Sequence, residues 1–93
     1  MTIDVRKNDE LHRYEAVTED GAVAGFAEFI EDSRKVTFTH TEVDKASSGQ
    51  GIAGMLARTA LDTTRATGKS VVPLCPYFKG FIEKHDEYAD LVA

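Results

Sequence analysis

Cysteine is scarce in this sequence: among its 93 residues only Cys75 is a cysteine, so no internal disulfide can form. A lone thiol is typical of proteins from a reducing compartment. The sequence also lacks an apolar run approaching the ~20 residues that a membrane span needs, and its start has no basic or apolar segment of a signal peptide. We therefore expect a cytoplasmic protein with no membrane partner.

Positive charge is also scarce. The chain has 11 Lys and Arg against 16 Asp and Glu, a formal net charge of −5, which argues against a nucleic-acid partner. Residues 1–48 hold six basic and eleven acidic residues, whereas residues 49–93 hold five of each. The second half is thus the better place for an anionic ligand. The scattered histidines offer no zinc-ligand spacing, so no metal site is expected.

Length and composition indicate a single domain over residues 1–93. With 42% hydrophobic residues the chain can form one core, but 93 residues are too few for a two-half dinucleotide fold plus a substrate domain.

The first half of the sequence predicts strands. Up to residue 43, apolar and polar residues alternate in four runs, which are separated by the turn-prone stretches "KNDE", "EDG" and "DSR". This pattern predicts four antiparallel strands.

The second half changes to a helical period. From Gly49 the apolar residues recur on one face over roughly 18 residues, and Gly68 stands where a helix-terminating glycine belongs. A short apolar strand at 71–74 follows, and Pro76 is positioned to begin a second helix. The prediction is an α+β or α/β fold of order β-β-β-β-α-β-α, with a mostly antiparallel mixed sheet.

The stretch "GQGIAG", Gly49–Gly54, matches the dinucleotide fingerprint G-x-G-x-x-G. The elements before it are not a βαβ unit, and the position ~20 residues on falls in "VVPLC", which has no acidic residue for a ribose. Met55 likewise stands where a P-loop needs lysine. Backbone N–H groups that open a helix can still bind a phosphate or pyrophosphate. The alternative is that the loop only turns the chain and caps the helix.

Four segments in order resemble the GNAT superfamily of N-acetyltransferases, and within it the small Yjdj-type branch. They are "FTHTEV" at 38–43, "GQGIAGMLA" at 49–57, "VVPLCPYF" at 71–78 and "KHDEYADLV" at 84–92. Gly51 and Ala53 match the two small positions of motif A of that superfamily, while Ser48 occupies its Gln/Arg position. Asp86 stands where the branch usually has a proline.

The resemblance implies a cleft for acetyl-coenzyme A between the fourth and fifth strands. Lys79 or Lys84 is then a candidate for binding the remaining phosphate of the nucleotide. The implied cofactor-binding residues are Thr41, Glu42 and Val43, whose main chain would pair with the pantetheine arm, and Ser48, Gly49, Gln50, Gly51, Ile52, Ala53 and Gly54, whose amides would meet the pyrophosphate.

Cys75 is the first candidate catalytic residue. It lies between a strand end and a predicted helix start, where free N–H groups and the helix dipole favour a thiolate. The resemblance supports this role, because the Yjdj-type branch has a candidate active-site cysteine in the same Leu-Cys-Pro motif. The alternative is a small buried hydrophobe that seals the core.

His40 is the second candidate. Strand alternation assigns it to the same inward face as Val36 and Phe38, from which its imidazole could take a proton from Cys75 or from an acceptor ammonium. A structural histidine bonded to a carbonyl is the alternative. Glu42 is a second candidate base, and Tyr88 a candidate acid for the departing thiolate.

The resemblance therefore implies an acetyl-CoA-dependent N-acetyltransferase that acts on an unidentified amine acceptor, either directly or through an acetylated Cys75. A non-catalytic CoA-binding or regulatory module is the main alternative, in which Cys75 and His40 serve packing. Two further alternatives are a small interaction domain that binds no ligand and, last, a nucleotide-dependent oxidoreductase. Either a monomer or a homodimer is compatible with the sequence.

Overall fold

The computed structural model describes residues 3–45 and 51–93. Within them one five-stranded sheet has the order β1-β2-β3-β4-β5, with antiparallel pairing from β1 to β4 and parallel pairing between β4 and β5. The strands are β1 (Asp4–Asn8), β2 (Arg13–Val17), β3 (Val23–Glu31), β4 (Lys35–Val43) and β5 (Ser70–Pro73). The helices are α1 (Ile52–Ala66), α2 (Pro76–Lys84) and a 3₁₀ helix (Asp86–Leu91). The predicted α+β fold and element order are confirmed.

The core lies on one face of the sheet. Phe38 of β4 packs near Tyr14 of β2 and stacks on Phe78 of α2, with ring centroids 4.3 Å apart. Leu56 and Leu61 of α1 are fully buried in the same cluster. Both helices thus pack on one face, and the opposite face carries more exposed side chains, among them Ile30, which is 66% exposed.

The parallel pair of strands is joined through α1. A parallel connection needs a crossover of this kind, and the helix returns the chain across the buried face of the sheet. The segment after α2 holds β5 from its other side, because Val92 forms a bridge with Val71 and the Ala93 N–H donates to the Val71 carbonyl at 3.0 Å. The sequence pattern predicted only a short apolar tail there. β5 is therefore bordered by β4 on one edge and by the chain end on the other.

α1 begins at Ile52 and has 15 residues, with Gly51 as its N-cap in a left-handed conformation (φ 73°). Thr67 caps the other end, and Gly68 follows with φ 76°, which fits the predicted helix-terminating glycine. No helix in the described ranges is long and apolar enough to cross a membrane.

Candidate active site

β4 and β5 separate partway along β4, and the gap beyond their last pair is called the cleft below. The two strands pair from Lys35–Ser70 to Phe38–Pro73, whereas β4 continues alongside β3 as far as Val43. Beyond this ladder the Cys75 N–H still donates to the Phe38 carbonyl at 2.9 Å. In the described part of the chain, the β5-facing edge of β4 beyond that bond has no strand partner.

Proline residues account for the end of β5. Pro73, the last residue of the strand, has no N–H for a ladder, and Pro76 occupies the first position of α2. Between them Cys75 is the N-cap residue of α2, with an extended backbone (φ −66°, ψ 125°). The thiol is therefore held at the junction of a strand and a helix start, as the sequence predicts.

The Cys75 side chain points into the molecule and is 3% exposed. Its Sγ donates a hydrogen bond to the hydroxyl oxygen of Thr41, 3.3 Å away on β4. The Thr41 side chain therefore faces the thiol. The family resemblance implied only a main-chain role for Thr41, and the sequence pattern did not predict this side-chain contact with Cys75.

The predicted inward orientation of His40 is wrong. Phe29 pairs with Phe38 and Glu28 pairs with His40, so Thr39 is an extra residue on β4, a β-bulge that reverses the alternation of side chains. The His40 side chain is consequently 54% exposed, 3.4 Å from Glu42 (Nε2 to Oε2) and beside the ring of Phe26. His40 and Cys75 therefore lie on opposite faces of the sheet.

One feature of the sequence carried a signal of this bulge. Beyond Phe38 the apolar residue of β4 is Val43, which belongs to the row of Thr39 and Thr41 and not to the row of Val36 and Phe38. A change of phase of the apolar positions within one strand indicates an inserted residue. Reading the row through Val43 puts Thr41 inward and His40 outward.

The start of α1 lies beside the end of β4. A methyl group placed on Gly25 of β3 would lie 3.2 Å from Cγ2 of Ile52 and 3.3 Å from Cγ2 of Val43. No acidic residue occupies the first turn of α1, and its N-cap residue, Gly51, provides no side-chain capping hydrogen bond. Its first N–H groups have no partner within the helix, and the dipole makes this end positive. Val43, Ile52, Ala53 and Gly54 are thereby brought to one region, while Ser48, Gly49 and Gln50 lie outside the described residues.

The Tyr88 hydroxyl is hydrogen-bonded to a residue of α1. It donates to Asp62 of α1 at 2.8 Å, and burial, followed by this hydrogen bond, raises the pKa of Tyr88. The tyrosine is 3% exposed, and Arg65 fixes the same segment through two hydrogen bonds of 2.9 Å to Asp90. These contacts hold the 3₁₀ helix on α1. They give Tyr88 a packing role and do not support the acid role considered from the sequence.

No group of three or more His, Cys, Asp and Glu side chains in the described residues is arranged to hold a metal ion.

The family model for GCN5-related N-acetyl-transferases matches residues 13–91. The chain belongs to this family, the GNAT family. The predicted superfamily and enzyme class, an acyltransferase, are confirmed, whereas the Yjdj-type branch stays a prediction. No curated protein matches the chain.

Solved GNAT structures share the fold. One is a Staphylococcus aureus protein predicted to be a GCN5-like N-acetyltransferase, with a TM-score of 0.71, 18% identity, and coverage of 97% of this chain and 87% of that one. Another, predicted to be a phosphinothricin N-acetyltransferase, has a TM-score of 0.59 and 21% identity over 78% of this chain and 50% of that one.

A third neighbour is ribosomal-protein-alanine N-acetyltransferase from Brucella melitensis biovar Abortus 2308. It aligns with a TM-score of 0.58 and 20% identity over 87% of this chain and 60% of its own length. At identities of 18–21% these similarities show a shared fold and nothing more. The chain spans only half to three-fifths of the two longer proteins, so their acceptors are not carried over.

Proposed function

We propose that this GNAT chain transfers the acetyl group of acetyl-coenzyme A to a primary amine, and that the cleft between β4 and β5 is the site of transfer. The separation of the two strands beyond Phe38 and Pro73 carries this proposal. Cys75 follows the end of β5, and its thiol donates a hydrogen bond to Thr41 of β4.

The described residues fit such a cofactor. An unpaired strand edge presents N–H and C=O groups, so the main chain of Thr41, Glu42 and Val43 can bind the two amides of the pantetheine arm. The first turn of α1, next to Val43, offers N–H groups and a positive dipole end to the pyrophosphate. Gly51, Ile52, Ala53 and Gly54 are the described residues in this role, and Ser48, Gly49 and Gln50 complete the proposed set. When bound, the coenzyme supplies an activated acetyl thioester.

Within the cleft, Cys75 is the residue proposed to contact the acetyl group. Either the amine attacks the thioester carbonyl and displaces coenzyme A, which leaves as its thiol with the proton lost by the amine, or the Cys75 sulfur first displaces coenzyme A as its thiol and forms an acetyl thioester, which the amine then cleaves to give the amide and the free Cys75 thiol. Thr41 holds the thiol in both routes through the 3.3 Å hydrogen bond. His40 makes no contact with Cys75. It stays a candidate base only for an acceptor that approaches from the open face, where Glu42 lies 3.4 Å away.

Thermal unfolding with acetyl-CoA, coenzyme A and NAD in parallel tests the cofactor. A ligand present at about a hundred times its dissociation constant stabilises the fold by about 2.7 kcal/mol, which raises Tm by roughly 10 °C or more in a domain of this size. We expect that rise with the two coenzyme A species. Stabilisation by NAD alone, or by none of the three, would overturn the proposal.

A non-catalytic CoA-binding module is the second candidate. The observation that favours it is the burial of the thiol, which is 3% exposed and already hydrogen-bonded. Incubation with radiolabelled acetyl-CoA and a panel of primary amines separates the two functions. Binding with transfer to an amine supports the enzyme, and binding with no transfer to any amine of the panel favours the module. Acetyl-Cys75 trapped without an amine would assign the covalent route.

A further inference from the structure

The face of the sheet opposite the helices borders the cleft. His40 and Glu42 lie on β4 beyond its last pair with β5, and their side chains are 54% and 64% exposed. On the helix side, Cys75 belongs to a buried cluster in which Phe38 and Phe78 are completely covered. Because the start of α1 is assigned to the cofactor, the described residues leave the open face as the approach for an acceptor.

A concave surface begins on this open face and follows the start of β3 and the end of β4. It consists of two adjoining pockets of about 450 and 390 Å³, which share Val23, Ala24 and Asp44. Phe26 and Glu42, paired in the ladder between β3 and β4, line the larger pocket. Glu42 therefore borders both this surface, which we call the outer groove, and the cleft.

The outer groove offers an apolar surface beside the cleft. Val23 is 42% exposed, and Phe26 is half-buried, with the guanidinium carbon of Arg13 4.6 Å from its ring centroid. A long cationic side chain packs its methylene groups on such a surface while its charged end stays in water. An alkyl ammonium therefore fits this part of the groove.

Carboxylates outnumber cations around the outer groove. In the described residues two cations, Arg13 and Lys45, line it together with four carboxylates, those of Glu19, Asp20, Glu42 and Asp44. Arg13 is already paired with Glu15 at 2.7 Å, whereas no Lys or Arg side chain in the described ranges forms an ion pair with Glu42 or Asp44. The hydrogen bond from Thr18 lowers the pKa of Asp20, which keeps that carboxylate charged. This surplus favours a ligand with more than one positive charge.

The shape of the outer groove suits a polypeptide better than a small polyamine. A site for a small ligand encloses most of the surface of that ligand. Here Val23, Glu42 and Asp44 are exposed, and the two pockets continue into each other. Resting on the proposed function, we infer that the acceptor is a lysine side chain of a basic polypeptide segment, which lies in the outer groove and directs its amine past Glu42 into the cleft. The transfer is the one described above, with the neutral lysine amine as the nucleophile.

Calorimetric titration of the protein loaded with coenzyme A tests the charge preference. The probes are three peptides of equal length with blocked termini and one central lysine, which is flanked by arginines, by serines or by glutamates. The arginine-flanked peptide should bind about tenfold more tightly than the serine-flanked one, and the glutamate-flanked peptide should bind most weakly. Added salt should reduce these differences. Equal affinities for the three peptides would overturn the inference.

Charge-reversal variants locate the binding surface. Asp44→Lys changes a residue that both pockets share and should weaken binding of the arginine-flanked peptide about tenfold, with little effect on the serine-flanked peptide. Val23→Lys should reproduce this loss, and thermal unfolding verifies that the variants fold. Glu83→Lys, exposed on α2 on the helix side of the sheet, makes the same change in net charge as Asp44→Lys and should change neither peptide. Equal losses in Asp44→Lys and Glu83→Lys would overturn the assignment to the outer groove.

Acetylation of the same peptides and of spermidine by acetyl-CoA identifies the source of the amine. The kcat/KM should be highest for the arginine-flanked peptide. A higher value for spermidine would overturn the polypeptide acceptor, and equal values for the three peptides would overturn the inference while the proposed function stands. Failure of the wild type to bind coenzyme A, or to acetylate any amine, would overturn both.

Discussion

The thiol of Cys75 donates a hydrogen bond to the Thr41 hydroxyl oxygen, with 3.3 Å between Sγ and Oγ1. The two residues are separated by 34 positions and come together because β4 and β5 diverge just before them. The contact links the strand proposed to bind the pantetheine arm to the residue proposed to meet the acetyl group. Thr41 is therefore a positioning residue in this proposal.

Thr41→Val should lower kcat about tenfold and leave the KM for acetyl-CoA nearly unchanged, because valine keeps the shape and loses the hydrogen-bond acceptor. Thr41→Ser should restore most of the activity, since it retains the hydroxyl. Steady-state kinetics of both variants beside Cys75→Ala would measure this. If Thr41→Val matched the wild type while Cys75→Ala were inactive, the hydrogen bond would have no part in catalysis.

His40 should not influence the reactivity of the thiol, because the bulge at Thr39 directs its side chain to the opposite face. The rate of alkylation of Cys75 by iodoacetamide in the His40→Gln variant should therefore equal the wild-type rate at every pH measured. Thr41→Val serves as the positive control for a change in rate. A slower alkylation in His40→Gln alone would indicate coupling through the sheet.

These residues also mark how far the sequence determines the site. The alternation in "KVTFTHTEV", the helical period after Gly49 and the Pro76 start signal predicted β4, α1 and α2 near their observed bounds, because each follows from local backbone chemistry. A single inserted residue in a ladder depends on the register against β3, and within β4 its only sequence signal is the change of phase of the apolar positions between Phe38 and Val43. His40 and Thr41 exchanged faces for that reason. The hydroxyl partner of Tyr88, 26 positions away, depends likewise on tertiary packing.

Gly25 couples the core to the proposed cofactor site. A Cβ there would lie 3.0 Å from the Glu42 carbonyl oxygen as well as against Ile52 and Val43, so Gly25→Ala must displace β4 or the start of α1. We expect a loss of about 1–3 kcal/mol in the free energy of unfolding and weaker acetyl-CoA binding. Urea unfolding and calorimetry measure the two effects.

Gly80→Ala is the matched control for the stability effect, because its added methyl group meets open space. It should stabilise the fold by up to about 1 kcal/mol, since alanine favours helix. An unchanged unfolding free energy in Gly25→Ala would mean that β4 yields without cost, and the close packing at this point would not hold the cleft.

Protonation of Glu31 should weaken the ion-pair network that it forms with Lys7 and Lys69. Its carboxylate accepts hydrogen bonds from Lys69 at 2.5 Å and Lys7 at 3.0 Å, and the Lys69 bond is the main reason why the pKa of Glu31 lies below its usual range, against the opposing effect of burial. A depressed folded-state pKa stabilises the fold above the unfolded value of about 4.3, and this stabilisation disappears as the pH falls through the folded pKa. Glu31→Gln should therefore lower the free energy of unfolding by about 1 kcal/mol near pH 7, with the difference shrinking below about pH 4.

The double-mutant cycle of Glu31→Gln with Lys69→Met isolates this pair from other effects of the substitutions. Urea unfolding of the four proteins should give a favourable coupling energy near neutral pH, which decreases as the pH falls below the unfolded value of about 4.3 and the Glu31 carboxylate becomes protonated. Lys7 remains in all four proteins, so its own hydrogen bond to Glu31 does not enter the coupling with Lys69. A coupling energy that persisted unchanged in acid would mean that packing of the aliphatic side-chain segments, and not the charge on Glu31, joins the two strand ends.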